Sequence, residues 1–155
     1  MKHFVITIED NTKSNEAADK CIESGKRFGL HIEKFNAITP KTVKQVLLDQ
    51  RINSSLFDNS KFSREDNARA AFCSHFSLWK YSADTNQEVT IFEHDAIIVD
   101  PIPFLNYNGC ISLGKPSYGR FRTPTTLGVN SLVSKDYFPG AHAYRVKPRA
   151  SEILI

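Results

Sequence analysis

The sequence predicts an α/β fold, a central and mainly parallel sheet flanked by helices, within a single domain over residues 1–155. Short β-favouring runs at residues 4–8, 30–37 and 89–92 alternate with segments of helical period. Strands separated by a helix-length crossover pair as parallel neighbours, because a hairpin cannot join them. At 155 residues, with 41% hydrophobic and 24% charged residues, the chain has globular composition and the length of one domain.

Phe4 to Ile8 form a first buried strand, and Glu9-Asp10-Asn11-Thr12-Lys13-Ser14 supply a polar loop rich in helix-capping residues. From Asn15, Ala18, Cys21, Ile22, Gly25 and Phe28 recur at helical spacing, with Glu16 and Asp19 early, where acids suit the helix dipole. Gly29 is the stop. Leu30 and Ile32 begin the alternation of a second strand over residues 30–37. Thr39-Pro40 reads as a helix start, a hydroxyl cap with proline in the first turn, continued by Val43, Val46 and Leu47. Residues 50–61 lack periodicity and read as a loop.

Ser63-Arg64-Glu65-Asp66 opens the best amphipathic pattern in the chain, a helix with Ala68, Ala71, Phe72, His75, Trp79 and Ser82 on its apolar face. A third strand follows at residues 89–92. Past Asp100-Pro101-Ile102-Pro103, prolines and glycines interrupt short apolar runs at residues 110–113, 129–133 and 143–146, expected as shorter, partly antiparallel strands. Residues 114–128 read as a loop whose Lys115, Arg120 and Arg122 either face a diphosphate or are simply solvated. Ser151-Glu152-Ile153-Leu154-Ile155 reads as the beginning of a helix.

The formal charge of +3 is mildly basic and spread along the chain, unlike the clustered Lys/Arg stripe of a nucleic-acid binder. It leaves a slight bias toward small anions. Cys21, Cys73 and Cys110 are distant from one another and odd in number, which points to free thiols in a reducing compartment. The apolar run after Met1 is too short for a signal peptide, and no run approaches the roughly 18 apolar residues of a transmembrane helix. A soluble cytoplasmic chain is expected.

The third strand stops on Glu93-His94-Asp95, two acids separated by one residue. Ligands of open α/β sheets bind at the carboxyl ends of strands, and a hard divalent cation is often held there by one or two carboxylates plus the substrate's phosphates. The alternative is a pair of solvated turn acids. Strand alternation puts His94 on the face opposite Glu93 and Asp95. No Gly-x-Gly-x-x-Gly and no phosphate-binding Lys-Ser/Thr loop follows the first strand.

Five stations, in order, resemble glycosyltransferase family 25, the group of lipooligosaccharide and collagen galactosyltransferases. They are Val5-Ile6-Thr7-Ile8, Phe35-Asn36-Ala37-Ile38, Ala70-Ala71-Phe72-Cys73-Ser74-His75 with Trp79, Ile91-Phe92-Glu93-His94-Asp95-Ala96, and Gly140-Ala141-His142-Ala143-Tyr144 before a helix near Ala150. The third is similar to the family's Gly-Cys-x-x-Ser-His segment and the fourth to its Glu-Asp-Asp-Ala strand end. Departures are Thr7 for an Asn, Thr12-Lys13-Ser14 for a basic loop, Ala70-Ala71 for Gly-Cys, and His94 for the middle Asp.

The resemblance implies a GT-A-like nucleotide-sugar-binding fold whose C-terminal part is absent, since family members run beyond residue 155. It implies transfer of a hexose, galactose by analogy, from a UDP-linked donor to a glycan hydroxyl, with Mn²⁺ or Mg²⁺ stabilising the departing diphosphate. Asp95 becomes the catalytic residue and, with Glu93, a metal ligand. Thr7, Ile8, Asn36, Ser74 and His75 become donor-binding residues, and Trp79 and Phe72 remain core. His94 is a further candidate ligand. No base for the acceptor is indicated: Asp100 and Asp136 lack a supporting motif. The alternative within the same fold is a non-catalytic or degenerate nucleotide-sugar-binding module. No nucleic-acid partner is expected, and the oligomeric state is open.

Overall fold

The computed structural model describes residues 1–57, 64–114 and 141–155. In chain order the elements are β1 Lys2–Thr7, α1 Thr12–Lys26, β2 Ile32–Asn36, α2 Val43–Asp49, α3 Glu65–Thr85, β3 Val89–Glu93, β4 Cys110–Ser112, β5 Ala143–Val146 and α4 Pro148–Leu154. The five strands form one sheet in the order β2-β1-β3-β5-β4. β1 pairs in parallel with both β2 and β3, whereas β5 is antiparallel to β3 and to β4. The sheet is therefore mixed, parallel on the side built from helix crossovers and antiparallel beyond β3.

Local chemistry sets most boundaries. Asn11 is extended (φ −120°) and its side chain accepts from the Ser14 N–H, so α1 begins at Thr12, earlier than the apolar period from Asn15 suggests. Gly25 lies where a Cβ would come within 2.5 Å of the Ile32 side chain, so the absent side chain lets α1 approach β2 closely. Gly29, at φ +75°, turns the chain toward β2. The helix expected at Thr39-Pro40 starts instead at Val43: the Thr39 carbonyl accepts from Thr42 and Val43, and residues 40–42 form a turn. The expected loop after Gln50 contains one short 3₁₀ turn, Ser54–Phe57. Residues 58–61 of that loop, the run at 129–133, and Lys115, Arg120, Arg122 and Asp136 lie outside the described residues.

Each sheet face carries its own core. On one, Ala18 and Cys21 of α1 pack with Val5, Ile32, Phe92, Ala96 and Ala143. On the other, Leu78 of α3 packs with Phe4, Ile6, Val89, Ile91, Tyr144 and Val146. A third cluster, Val43, Leu47, Ala70 and Cys73, joins α2 to α3. Because α3 is covered by the sheet, α2 and α4, its buried residues are Ala70, Cys73, Ser74, Phe76, Leu78 and Ser82. Ala71, expected on the apolar face, is exposed. One amphipathic stripe cannot describe a helix packed on several sides.

The three cysteines are free thiols, Cys21 and Cys73 buried and Cys110 exposed. Among the described residues, no helix is long and apolar enough to cross a membrane.

Candidate functional site

The parallel register brings the expected residues to one edge. Thr7 stands opposite Asn36, and Ile6 opposite Glu93, so the carboxyl ends of β1, β2 and β3 are level. Gathering residues at this edge does not leave each one open to a ligand. Thr7 is 1% exposed, with its Oγ1 3.2 Å from Ser14 Oγ. The Ile8 N–H donates to the same Ser14 Oγ at 2.9 Å. Asn36 is exposed, and its Nδ2 donates to Glu9 Oε2 at 3.1 Å.

Ser74 sits deeper, on α3, 2% exposed. Its Oγ accepts from the Ile38 N–H at 2.8 Å and donates to the Ala70 carbonyl at 2.9 Å. The hydroxyl thereby ties the chain leaving β2 to α3. A donor could use it only by displacing these partners.

The acidic tip departs from the alternation expected of it. β3 ends at Glu93, whose N–H donates to the His142 carbonyl at 2.9 Å, and whose own carbonyl accepts from Ala96 N–H at 3.0 Å. His94 and Asp95 therefore occupy a turn, where the two-residue period of a strand no longer directs side chains, and the placing of His94 opposite the two acids loses its basis. Asp95 is exposed, and its charge acts on the Cys21 thiol of α1, which burial in the first place pushes up to about 11. Glu93 instead faces α3, its carboxylate Oε1 3.7 Å from His75 Nε2 and its side chain 43% exposed.

Interaction with His75 first, against the opposing effect of burial, and then the charges of His75, His142 and His94, hold Glu93 below the usual glutamate range. It is an anion at neutral pH. His75 in turn has Nδ1 2.8 Å from the Tyr144 hydroxyl, which also accepts from Trp79 Nε1–H at 2.8 Å. Tyr144 is 3% exposed, and burial pushes its phenol well above the usual tyrosine range. Beside this group, a Cβ on Gly114 would fall 2.0 Å from His142 Nε2, so the ring occupies space that only a glycine leaves.

The sequence marked His75 and Glu93, but not the partnership of Tyr144 and His142 with them. β5 reaches Glu93 only because it pairs antiparallel with β3, Tyr144 opposite Ile91, a register that no local signal in residues 140–146 specifies.

Among the described residues, no group of three or more His, Cys, Asp or Glu side chains converges to hold a metal. The donor set that exists, exposed Asp95 with anionic Glu93 one residue before the turn's tip, suits a cation that arrives with phosphate oxygens completing its shell. Two surface hollows lie elsewhere, one at the start of α3 near Lys44, Arg64 and Asp66, the other on α1 near Asp19, Glu23 and Arg27.

A family model described as Glycosyltransferase family 25 (LPS biosynthesis protein) matches residues 1–108. The matched span contains β1, β2, β3, His75, Glu93 and Asp95, and ends before His142 and Tyr144. No curated protein matches the chain.

Proposed function

The chain belongs to glycosyltransferase family 25, and on that premise we propose that it transfers a hexose, galactose in the first instance, from a UDP-linked donor to a glycan hydroxyl with the help of Mn²⁺ or Mg²⁺. The observation that carries this reading is the strand-tip pair: an anionic Glu93 and an exposed Asp95 at the carboxyl edge of the parallel strands, within the span the family model matches. Asp95 would hold the cation, with Glu93 as the second carboxylate or as the group that orients the site. When bound, the cation supplies Lewis-acid stabilisation of charge on the departing diphosphate.

The chain's own contribution is positional. Asn36 offers an exposed polar group at the level where a nucleotide would lie, and Ser74 fixes the backbone that follows β2. Interaction with His75 holds the Glu93 carboxyl below the usual glutamate range. Isothermal titration of UDP in the presence of Mn²⁺ tests the reading: wild type should bind, Asp95→Ala should lose about tenfold or more in affinity, and removal of the metal should have a like effect. UDP binding that ignores both metal and Asp95 would refute it.

A second reading, a non-catalytic module that still binds the donor, is favoured by one observation. The Thr7 and Ser74 hydroxyls and the Ile8 amide are already engaged within the chain. Hydrolysis or transfer of a labelled UDP-hexose separates the two.

A further inference from the structure

We propose that Glu9, aimed by Asn36, is a further donor-binding residue that accepts hydrogen bonds from the ribose hydroxyls of the nucleotide at the carboxyl ends of β1 and β2. The assignment rests on the nucleotide-sugar reading above.

The loop that carries Glu9 is fastened on both sides. Asn15 Nδ2, on α1, lies 3.2, 2.8 and 3.1 Å from the carbonyls of Ile8, Glu9 and Asn11. The Asn11 N–H donates to the Ile8 carbonyl at 3.0 Å and closes a turn around Glu9 and Asp10. Beyond β2, the Ala37 N–H donates to the Thr7 carbonyl at 2.8 Å, so the backbone that follows Asn36 is tied to the end of β1. Between these two fixed stretches the Asn36 amide donates to Glu9 Oε2 at 3.1 Å, a link between residues 27 apart in the chain. Both residues are exposed, so a ligand can reach the pair. A carboxylate held in advance loses little freedom when a ligand arrives.

The chemistry of the pair selects its ligand. A carboxylate accepts and repels phosphate, so its partner is a hydroxyl or an N–H. Asn36 Nδ2 takes Oε2, and among the described residues Oε1 meets no hydrogen-bond donor. Asn36 Oδ1 supplies a second acceptor on the same pair. Two adjacent acceptors match the two neighbouring hydroxyls of a ribose. The pairing face of uracil instead carries one N–H between two carbonyls, and the second acceptor would face a carbonyl oxygen. Placement agrees with this choice. The strands run β2-β1-β3, and neighbours in a sheet lie about 4.8 Å apart, so the β2 end stands about 10 Å across the sheet from the β3 tip. That separation leaves room for the ribose at Glu9 and Asn36 while the diphosphate lies with its cation at Glu93 and Asp95.

Titration calorimetry in the presence of Mn²⁺, comparing UDP with 2′-deoxy-UDP, tests the assignment. Wild type should bind UDP about tenfold more tightly than the deoxy analogue, the value of one hydrogen bond to a charged acceptor. Glu9→Ala should bind the two nucleotides alike, losing about tenfold for UDP and little for the analogue. Because Glu9 is exposed, the variant should melt within about 2 °C of wild type. The sign of the effect is diagnostic: a carboxylate near UDP that touches nothing only repels it, and its removal would tighten binding. Unchanged or tighter UDP binding by Glu9→Ala overturns the proposal, as does a preference for ribose that survives the substitution or is missing from wild type. A wild type that binds neither nucleotide overturns the nucleotide-sugar reading itself.

Discussion

Replacing Ser74 by alanine separates a hydroxyl that serves the fold from one that serves a ligand. The side chain is 2% exposed, accepts from Ile38 N–H at 2.8 Å and donates to the Ala70 carbonyl at 2.9 Å, with the Ile38 carbonyl farther off at 3.5 Å. Alanine leaves the Ile38 amide without its acceptor at a part-buried point, which costs about 1–3 kcal/mol. The Ala70 carbonyl loses less, because it also accepts the helical N–H of residue 74. For a chain of this length each kcal/mol moves the melting temperature by about 2–4 °C, so Tm should fall by about 2–12 °C. Hydrogen exchange gives the local readout: the Ile38 amide should lose about tenfold in protection. UDP affinity of the folded variant, measured with Mn²⁺ well below its Tm, should stay within about twofold of wild type. Wild-type stability together with a large loss of UDP affinity would refute this reasoning and give the hydroxyl to the donor.

Burial, and then the charge of Arg145, hold His3 below the ordinary histidine value of 6.5. The unfolded chain therefore binds the proton more readily, and stability should fall as pH drops from 7.5 through about 6.5, a slope that urea titration should find flattened in His3→Gln. Glu93 has the same sign at lower pH: its folded carboxyl lies below the ordinary 4.5, so its contribution is present above that value and disappears as pH falls further. Glu93→Gln should remove part of the acid limb of the stability curve. Buried Cys21 and Cys73 should resist a thiol reagent in the native protein. Cys110, exposed as a residue but with a thiol that burial pushes up to about 11, should react slowly at pH 7.5. A fast-reacting thiol in a stopped-flow assay would contradict that placement.

Much of the parallel half is legible in the residues. The β1-α1-β2 unit shows in the run Phe4 to Ile8, the spacing of Ala18 and Cys21, and Gly29, because each signal acts within a few residues of where its effect is felt. The same holds for β3 and its acidic end. The α2 start was misplaced because Thr39-Pro40 makes a turn before the helix, and the α3 face was misjudged because α2 and α4 bury sides of it that the sheet does not touch. Strand period does not extend past Glu93, where a hydrogen bond from Ala96 N–H to the Glu93 carbonyl closes a turn, so alternation assigns His94 no face.

By itself, the sequence determined the family, the alternation of strands and helices, and which polar residues would arrive at the carboxyl edge. Tertiary structure alone decided which of them have partners already. Ser14 takes up Thr7 and Ile8, Ile38 takes up Ser74, and the antiparallel β3-β5 pairing sets Tyr144 against His75 and, through it, Glu93. Ile38 and Ser74, 36 residues apart, and His75 and Tyr144, 69 apart, must meet within about 3 Å, and that distance is fixed by packing, which no local pattern encodes.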